Sequence, residues 1–116
     1  MIKILLSFLM VAFAQDARMQ EQESLEQAGK LFVVKLTPKD KILKFEFVGK
    51  KAAEIDFTEQ TVSLFLLNGS KRELVRLQER NNNVFETEPL SQHKDIELEL
   101  KTTIKNSSES FKFRLP

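Results

Sequence analysis

The chain has 116 residues, enough for one domain and too few for two independent cores. It carries 18 Lys and Arg against 17 Asp and Glu, and a net charge of +1 gives no general attraction to nucleic acid. Cys, Trp and Tyr are absent and there is one His, which excludes disulfides, thiolate metal sites and thiol nucleophiles.

The first residues read as a leader. Met1-Ile2-Lys3 supplies one positive charge, and Ile4–Val11 is apolar apart from Ser7. Ala12-Phe13-Ala14 has small residues where signal peptidase needs them. This predicts a signal peptide over 1–14, cleaved before Gln15. The apolar stretch is too short to cross a bilayer of ~30 Å as a helix, so no transmembrane span is expected once the leader is gone. Without Lys3 the remaining chain has 17 bases and 17 acids, and is neutral. A Cys-free exported domain points to the bacterial periplasm or cell surface, with an extracellular location as the alternative.

Residues 15–29 are rich in Gln and Glu and carry −3: Asp16, Glu21, Glu23 and Glu26 against Arg18. Their few apolar residues form no continuous helical stripe. A short helix ended by Gly29 and a disordered acidic tail are the two readings.

From Leu31 the apolar period becomes two, the signature of strands. Leu31–Leu36 is a strand, Thr37-Pro38-Lys39-Asp40 a turn, and Lys41–Val48 the second arm of a hairpin. Glu54–Phe57 reads as a short edge strand. Thr61–Leu67 is apolar on both faces, so it is central or covered on both sides. Asn68-Gly69 is a two-residue hairpin turn into Arg72–Gln78. Asn81-Asn82-Asn83 is a loop or bulge. Val84–Thr87 is a short strand stopped by Pro89. Asp95–Ile104 alternates, Asn106–Glu109 turns, and Ser110–Leu115 alternates again. Asn68-Gly69-Ser70 and Asn106-Ser107-Ser108 match the glycosylation sequon, but both fall in turn-rich polar segments where chance explains them.

Seven main strands, or eight with Glu54–Phe57, at turn spacings of roughly 8–12 residues predict an all-β fold. The expected architecture is an immunoglobulin-like antiparallel β-sandwich over 30–116, after the leader and the short polar segment. Phe32, Phe45, Phe47, Phe57, Phe65, Phe85, Phe111 and Phe113 are the expected bulk of its core.

Val48-Gly49-Lys50-Lys51-Ala52-Ala53-Glu54-Ile55-Asp56, then Val62–Leu67, Asn68-Gly69-Ser70-Lys71 and the closing Phe111-Lys112-Phe113-Arg114-Leu115 stand in a recognisable order. Over about residues 31–115 the chain resembles small exported immunoglobulin-like β-sandwich proteins. These include the FixH/YtkA/CopC-like group and accessory proteins found beside metal-efflux systems. The resemblance implies the sandwich fold and an envelope role. Copper-binding members of that group imply His and Met ligands. Here only Met19 and His93 remain after the leader, so no ligand motif carries over.

Few residues can carry chemistry. His93 lies in the polar stretch Leu90–Lys94 and reads as an exposed loop residue; Ser91 is too close in sequence to serve it as a nucleophile. Glu97 and Glu99 share a strand face with Asp95. Paired carboxylates suit acid–base chemistry or a hard cation. Their alternation with Ile96, Leu98 and Leu100 instead fits a solvated sheet face, paired to Lys or Arg on neighbouring strands. No catalytic residue, metal site or cofactor is therefore expected.

The candidate partner-binding residues are of two kinds. Lys71, Arg72, Arg76 and Arg80 gather near the Asn68-Gly69 turn. They serve either an anionic partner or the protection of an edge strand. Leu31, Phe32, Val33 and Val34, with Phe65 and Leu67, are either core or a docking strand, depending on whether their strands lie at an edge. The expectation is an exported, non-catalytic binding or accessory module whose partner is a protein or envelope component. An accessory protein of a metal-handling or efflux system is the alternative, and a small hydrolase is the least favoured reading.

Overall fold

The computed structural model describes residues 24–116. The expected leader and most of the acidic segment lie outside the described residues. Nine strands form among the described residues: β1 Leu25–Ala28, β2 Val33–Lys39, β3 Ile42–Val48, β4 Thr61–Asn68, β5 Lys71–Val75, β6 Leu77–Asn81, β7 Val84–Thr87, β8 Ile96–Ile104 and β9 Ser107–Leu115. No helix among them is long and apolar enough to cross a membrane.

The strands make two antiparallel sheets, ordered β1-β2-β3-β7-β6 and β5-β4-β8-β9. Setting β1 aside, β2-β3-β7-β6 over β5-β4-β8-β9 is the A-B-E-D over C′-C-F-G order of an immunoglobulin-like sandwich. Period-two alternation builds the core. Val34, Leu36, Leu43, Phe45 and Phe47 face inward from the first sheet, and Leu64, Leu98, Leu100, Phe111, Phe113 and Leu115 from the second. Phe45 meets Phe113 across the interior with centroids 5.9 Å apart. At one end Phe32, Phe47 and Phe57 cluster. Phe47 and Phe57 stack at 4.2 Å, and Phe32 stands edge-on to both.

Several sequence expectations are corrected. Leu25–Ala28, assigned to a tail or short helix, is a strand; it pairs with β2 in the register Leu25–Leu36 to Ala28–Val33. The β2–β3 turn is Asp40-Lys41, with Asp40 at φ +59°, and Pro38 lies inside β2. The closing pair of this hairpin, Lys39–Ile42, sets the alternation that turns the Pro38 nitrogen toward β1. Pro38 has no N–H to offer on that side.

Glu54–Phe57 is not a strand. Two 3₁₀ turns, Ala52–Glu54 and Phe57–Glu59, occupy this stretch. Arg72–Gln78 is not one strand either: the chain leaves the second sheet at Arg76 and enters the first as β6. The β4–β5 loop is Gly69-Ser70, one residue later than expected, closed by Asn68–Lys71. Gly69 alone has positive φ, +66°, the signature of a type II′ turn rather than I′. The β8–β9 turn is Lys105-Asn106, so β9 starts at Ser107.

Candidate functional site

The topology settles which strands can offer an edge. β2 lies between β1 and β3, and β4 between β5 and β8. Phe32 and Val34 are buried core residues, while Leu31 and Val33 are half-buried. Phe32 and Val34 therefore belong to the core, and β2, which begins at Val33, offers no free edge. The edges are β1 and β6 in the first sheet, and β5 and β9 in the second.

Phe65 and Leu67 have a different surrounding. Their β4 neighbours Leu64 and Leu66 face the core, so Phe65 and Leu67 lie on the outer face of the second sheet. Phe65 is paired with Leu74 of β5 and Glu99 of β8, and Leu67 with Arg72 and Glu97. Leu74 is 67% exposed, the one large hydrophobic residue so exposed among the described residues. Phe65, Leu67 and Leu74 thus form a small apolar patch at the β5 side of this face. The sequence places Leu74 opposite in facing to Val75; what it does not reveal is that β5 ends a sheet.

Charged groups rim the patch. The Arg72 guanidinium lies over the Phe65 ring at 4.3 Å and donates to Glu99 Oε1 at 2.9 Å. Arg114 bonds Glu97 at 2.9 Å and Asp95 at 3.3 Å. Glu97 is accordingly paired to an arginine of the neighbouring strand β9, as the alternation suggested, whereas Glu99 meets Arg72 of β5 across the intervening β4.

The basic residues do not form one cluster. Lys71 and Arg72 lie on β5, Arg76 at the sheet switch, and Arg80 on β6 of the other sheet. Arg80 donates to Glu86 at 2.8 Å, and Arg76 reaches Glu88 only at 4.0 Å. The Arg80 bond, with Lys39 and Lys44 nearby, holds the Glu86 carboxyl below its ordinary value of 4.5, against the opposing effect of burial.

His93 is half-buried rather than exposed, and its buried Nδ1 has no hydrogen-bond partner among the described residues. No group of three or more His, Asp or Glu among the described residues is placed to hold a metal ion. A concavity of about 810 Å³ lies at the end of the sandwich beside Leu31, Ile55 and Ile104. Its rim carries Lys30, Lys51 and Lys105 against Glu54, Asp56 and Glu59, so opposite charges balance there. Asp56 is already engaged: its Oδ1 accepts from the Thr58 N–H at 3.1 Å and from the Thr58 hydroxyl at 2.6 Å.

The asparagine run is structural. Asn82 Oδ1 accepts the Phe57 N–H at 3.1 Å, and Asn82 Nδ2 donates to the Ile55 carbonyl at 2.9 Å. Asn83 Nδ2 donates to the Phe47 carbonyl at 3.0 Å. The sequence marks these residues as a loop or bulge but carries no sign of what they clamp. No protein-family model, curated protein or solved structure matches this chain.

Proposed function

We propose that this protein is an exported, non-catalytic binding module that engages an envelope or secreted partner through the β5 side of its second sheet. The observation that carries the reading is Leu74, exposed on an edge strand beside Phe65 and Leu67. An apolar patch rimmed by charge is the usual anatomy of a contact surface, and a small one suits a transient partner. Export is supported by the leader pattern of residues 1–14. The paired carboxylates and the isolated His93 supply no nucleophile–base arrangement that would favour an enzyme.

The test compares the protein with Phe65→Glu and Leu74→Glu, each immobilised and exposed to envelope and secreted fractions. The expected result is a component retained by the parent and lost from both variants. If the parent retains nothing beyond what the variants retain, the binding-module reading fails.

A further inference from the structure

We propose that the free edge of β5 receives an extended acidic–apolar peptide segment of another protein, which adds to the second sheet as a fifth strand. This rests on the binding-module reading and names the chemistry of the partner.

The backbone supplies the first argument. β4 and β5 are joined by a two-residue loop, so the closing pair Asn68–Lys71 exchanges both its hydrogen bonds. Hydrogen-bonded pairs then recur at Leu66–Glu73 and Leu64–Val75. Arg72 and Leu74 consequently turn their N–H and C=O groups away from β4. No turn or loop hydrogen bond among the described residues uses them. An incoming strand would find alternate donors and acceptors there, as in other cases of strand addition.

The side chains supply the second. Leu74 offers exposed apolar surface opposite Phe65 of β4. Lys71 and Arg72 on the edge, and Arg76 just beyond it, outnumber the one acid, Glu73. Arg72 binds Glu99 through one terminal nitrogen, and a guanidinium has five donors, so it can take a second carboxylate. Arg76 is 78% exposed and only loosely held by Glu88 at 4.0 Å.

The same charges argue against a second copy of this chain. A two-fold antiparallel pairing keeps like faces together, so it is centred on a residue of the strand. Centred on Arg72 it opposes Arg72 to Arg72, and centred on Glu73 it opposes Glu73 to Glu73. Centred on Leu74 it brings Arg72 toward Arg76, which directly follows the last residue of the strand. Like charges directly opposite are destabilising, the first two registers contain such a pair, and the third gathers two guanidinium groups at the strand end. The edge thus disfavours itself and suits a strand with an apolar residue opposite Leu74 and acids two positions to either side.

The probe is an acetylated, amidated heptapeptide, Thr-Glu-Thr-Val-Thr-Glu-Thr, titrated to millimolar concentration into ¹⁵N-labelled protein. A twin peptide carries Lys in place of both Glu. The expected result is saturable movement of the Arg72 and Leu74 amide signals, with the Lys twin binding at least about tenfold more weakly, a decade in Kd. Leu74→Pro removes one outward N–H without touching the β4 ladder. It should lose binding about tenfold or more while the melting transition moves little. Should that variant not fold, Leu74→Asp keeps the N–H, removes the apolar contact and sets acid beside acid; it is expected to lose binding to the same degree. Equal binding of the two peptides, shifts centred elsewhere, or no shift at all would overturn the proposal. If envelope retention still distinguishes the parent from Leu74→Glu while the peptide fails, strand addition is wrong and the binding module stands. If both fail, both readings fall.

Discussion

The hydroxyl of Thr87 accepts the backbone N–H of Leu43 at 3.0 Å, deep in the sandwich. The β3–β7 ladder stops at Lys44–Glu86, so this side chain satisfies a donor that would otherwise be buried and unpaired. Thr102 on β8 is equally buried, yet its Oγ1 has no partner among the described residues. The two threonines should therefore respond oppositely to the isosteric change to valine. Thr87→Val strands the Leu43 N–H and should cost about 1–3 kcal/mol. Thr102→Val removes an unsatisfied hydroxyl and should be neutral or stabilise by about 1 kcal/mol, which raises Tm by roughly 4–8 °C in a domain this size. Urea denaturation of both variants is the check. Destabilisation of Thr102→Val beyond about 1 kcal/mol would show a hidden partner for its hydroxyl.

The Glu86 carboxyl is held below its ordinary value by the Arg80 hydrogen bond, helped by Lys39 and Lys44. A depressed folded-state pKa stabilises the fold above the unfolded-state value and is lost as pH falls through the folded-state value. Glu86→Gln should therefore lower stability at pH 7, and its difference from the parent should shrink as pH drops below 4.5. Arg80 is half exposed, so the difference at pH 7 should lie within the roughly 0.2–1 kcal/mol typical of exposed pairs. A gap that is constant from pH 7 to pH 3 would remove Glu86 as its source.

Phe57 is buried in a way its local sequence pattern does not reveal. Its alternation with Ile55 looks like a strand, and period-two patterning does place every long strand here. Burial of Phe57, however, is achieved by a 3₁₀ turn that swings the ring onto Phe47, and the linker is held by side chains of Asn82 rather than by a ladder. A non-local amide clamp leaves no periodic trace in the sequence. The sheet switch at Arg76 is invisible for a related reason. Leu74 exposed on β5 and Leu77 packed against the core on β6 look like one alternating strand until the two sheets are assigned. The candidate surface depends on that assignment. Its residues Phe65, Leu67 and Arg72 can be named from sequence, whereas the place of β5 at the sheet edge, beside β4, follows only from strand order.

Because Phe57 is fully buried and stacked on Phe47, Phe57→Ala should cost about 3–5 kcal/mol, a large share of the roughly 5–15 kcal/mol of a typical domain. Asn82→Ala leaves the Phe57 N–H and the Ile55 carbonyl without their partner and should cost about 1–3 kcal/mol. Since the clamp holds the segment that carries the ring, the double variant should lose less than the sum of the two. Denaturant midpoints of the two single variants and the double variant test this coupling. Strict additivity would mean that the amide clamp and the aromatic stack act independently.

Gly29 connects β1 to the rest of the sandwich. Its N–H donates to the Phe32 carbonyl at 2.8 Å, and the next N–H, of Lys30, donates to Glu109 Oε2 at 2.8 Å. The chain passes so close to β9 that a Cβ at Gly29 would lie 2.8 Å from the Phe111 ring and from Glu109 Oε1. The Glu109 carboxylate can move aside at the cost of its bond to Lys30. The Phe111 ring is buried and packed at 5.6 Å from Phe32, so it has little room. Gly29→Ala should therefore cost about 1–3 kcal/mol, the range of overpacked cores. Relief is easiest on the side of β1, a four-residue edge strand. Hydrogen exchange should accordingly show the amides of Leu25–Ala28 losing protection while β8 and the inner part of β9 keep theirs. Unchanged protection in β1, together with unchanged stability, would mean that Phe111 yields and that the contact does not constrain the strand.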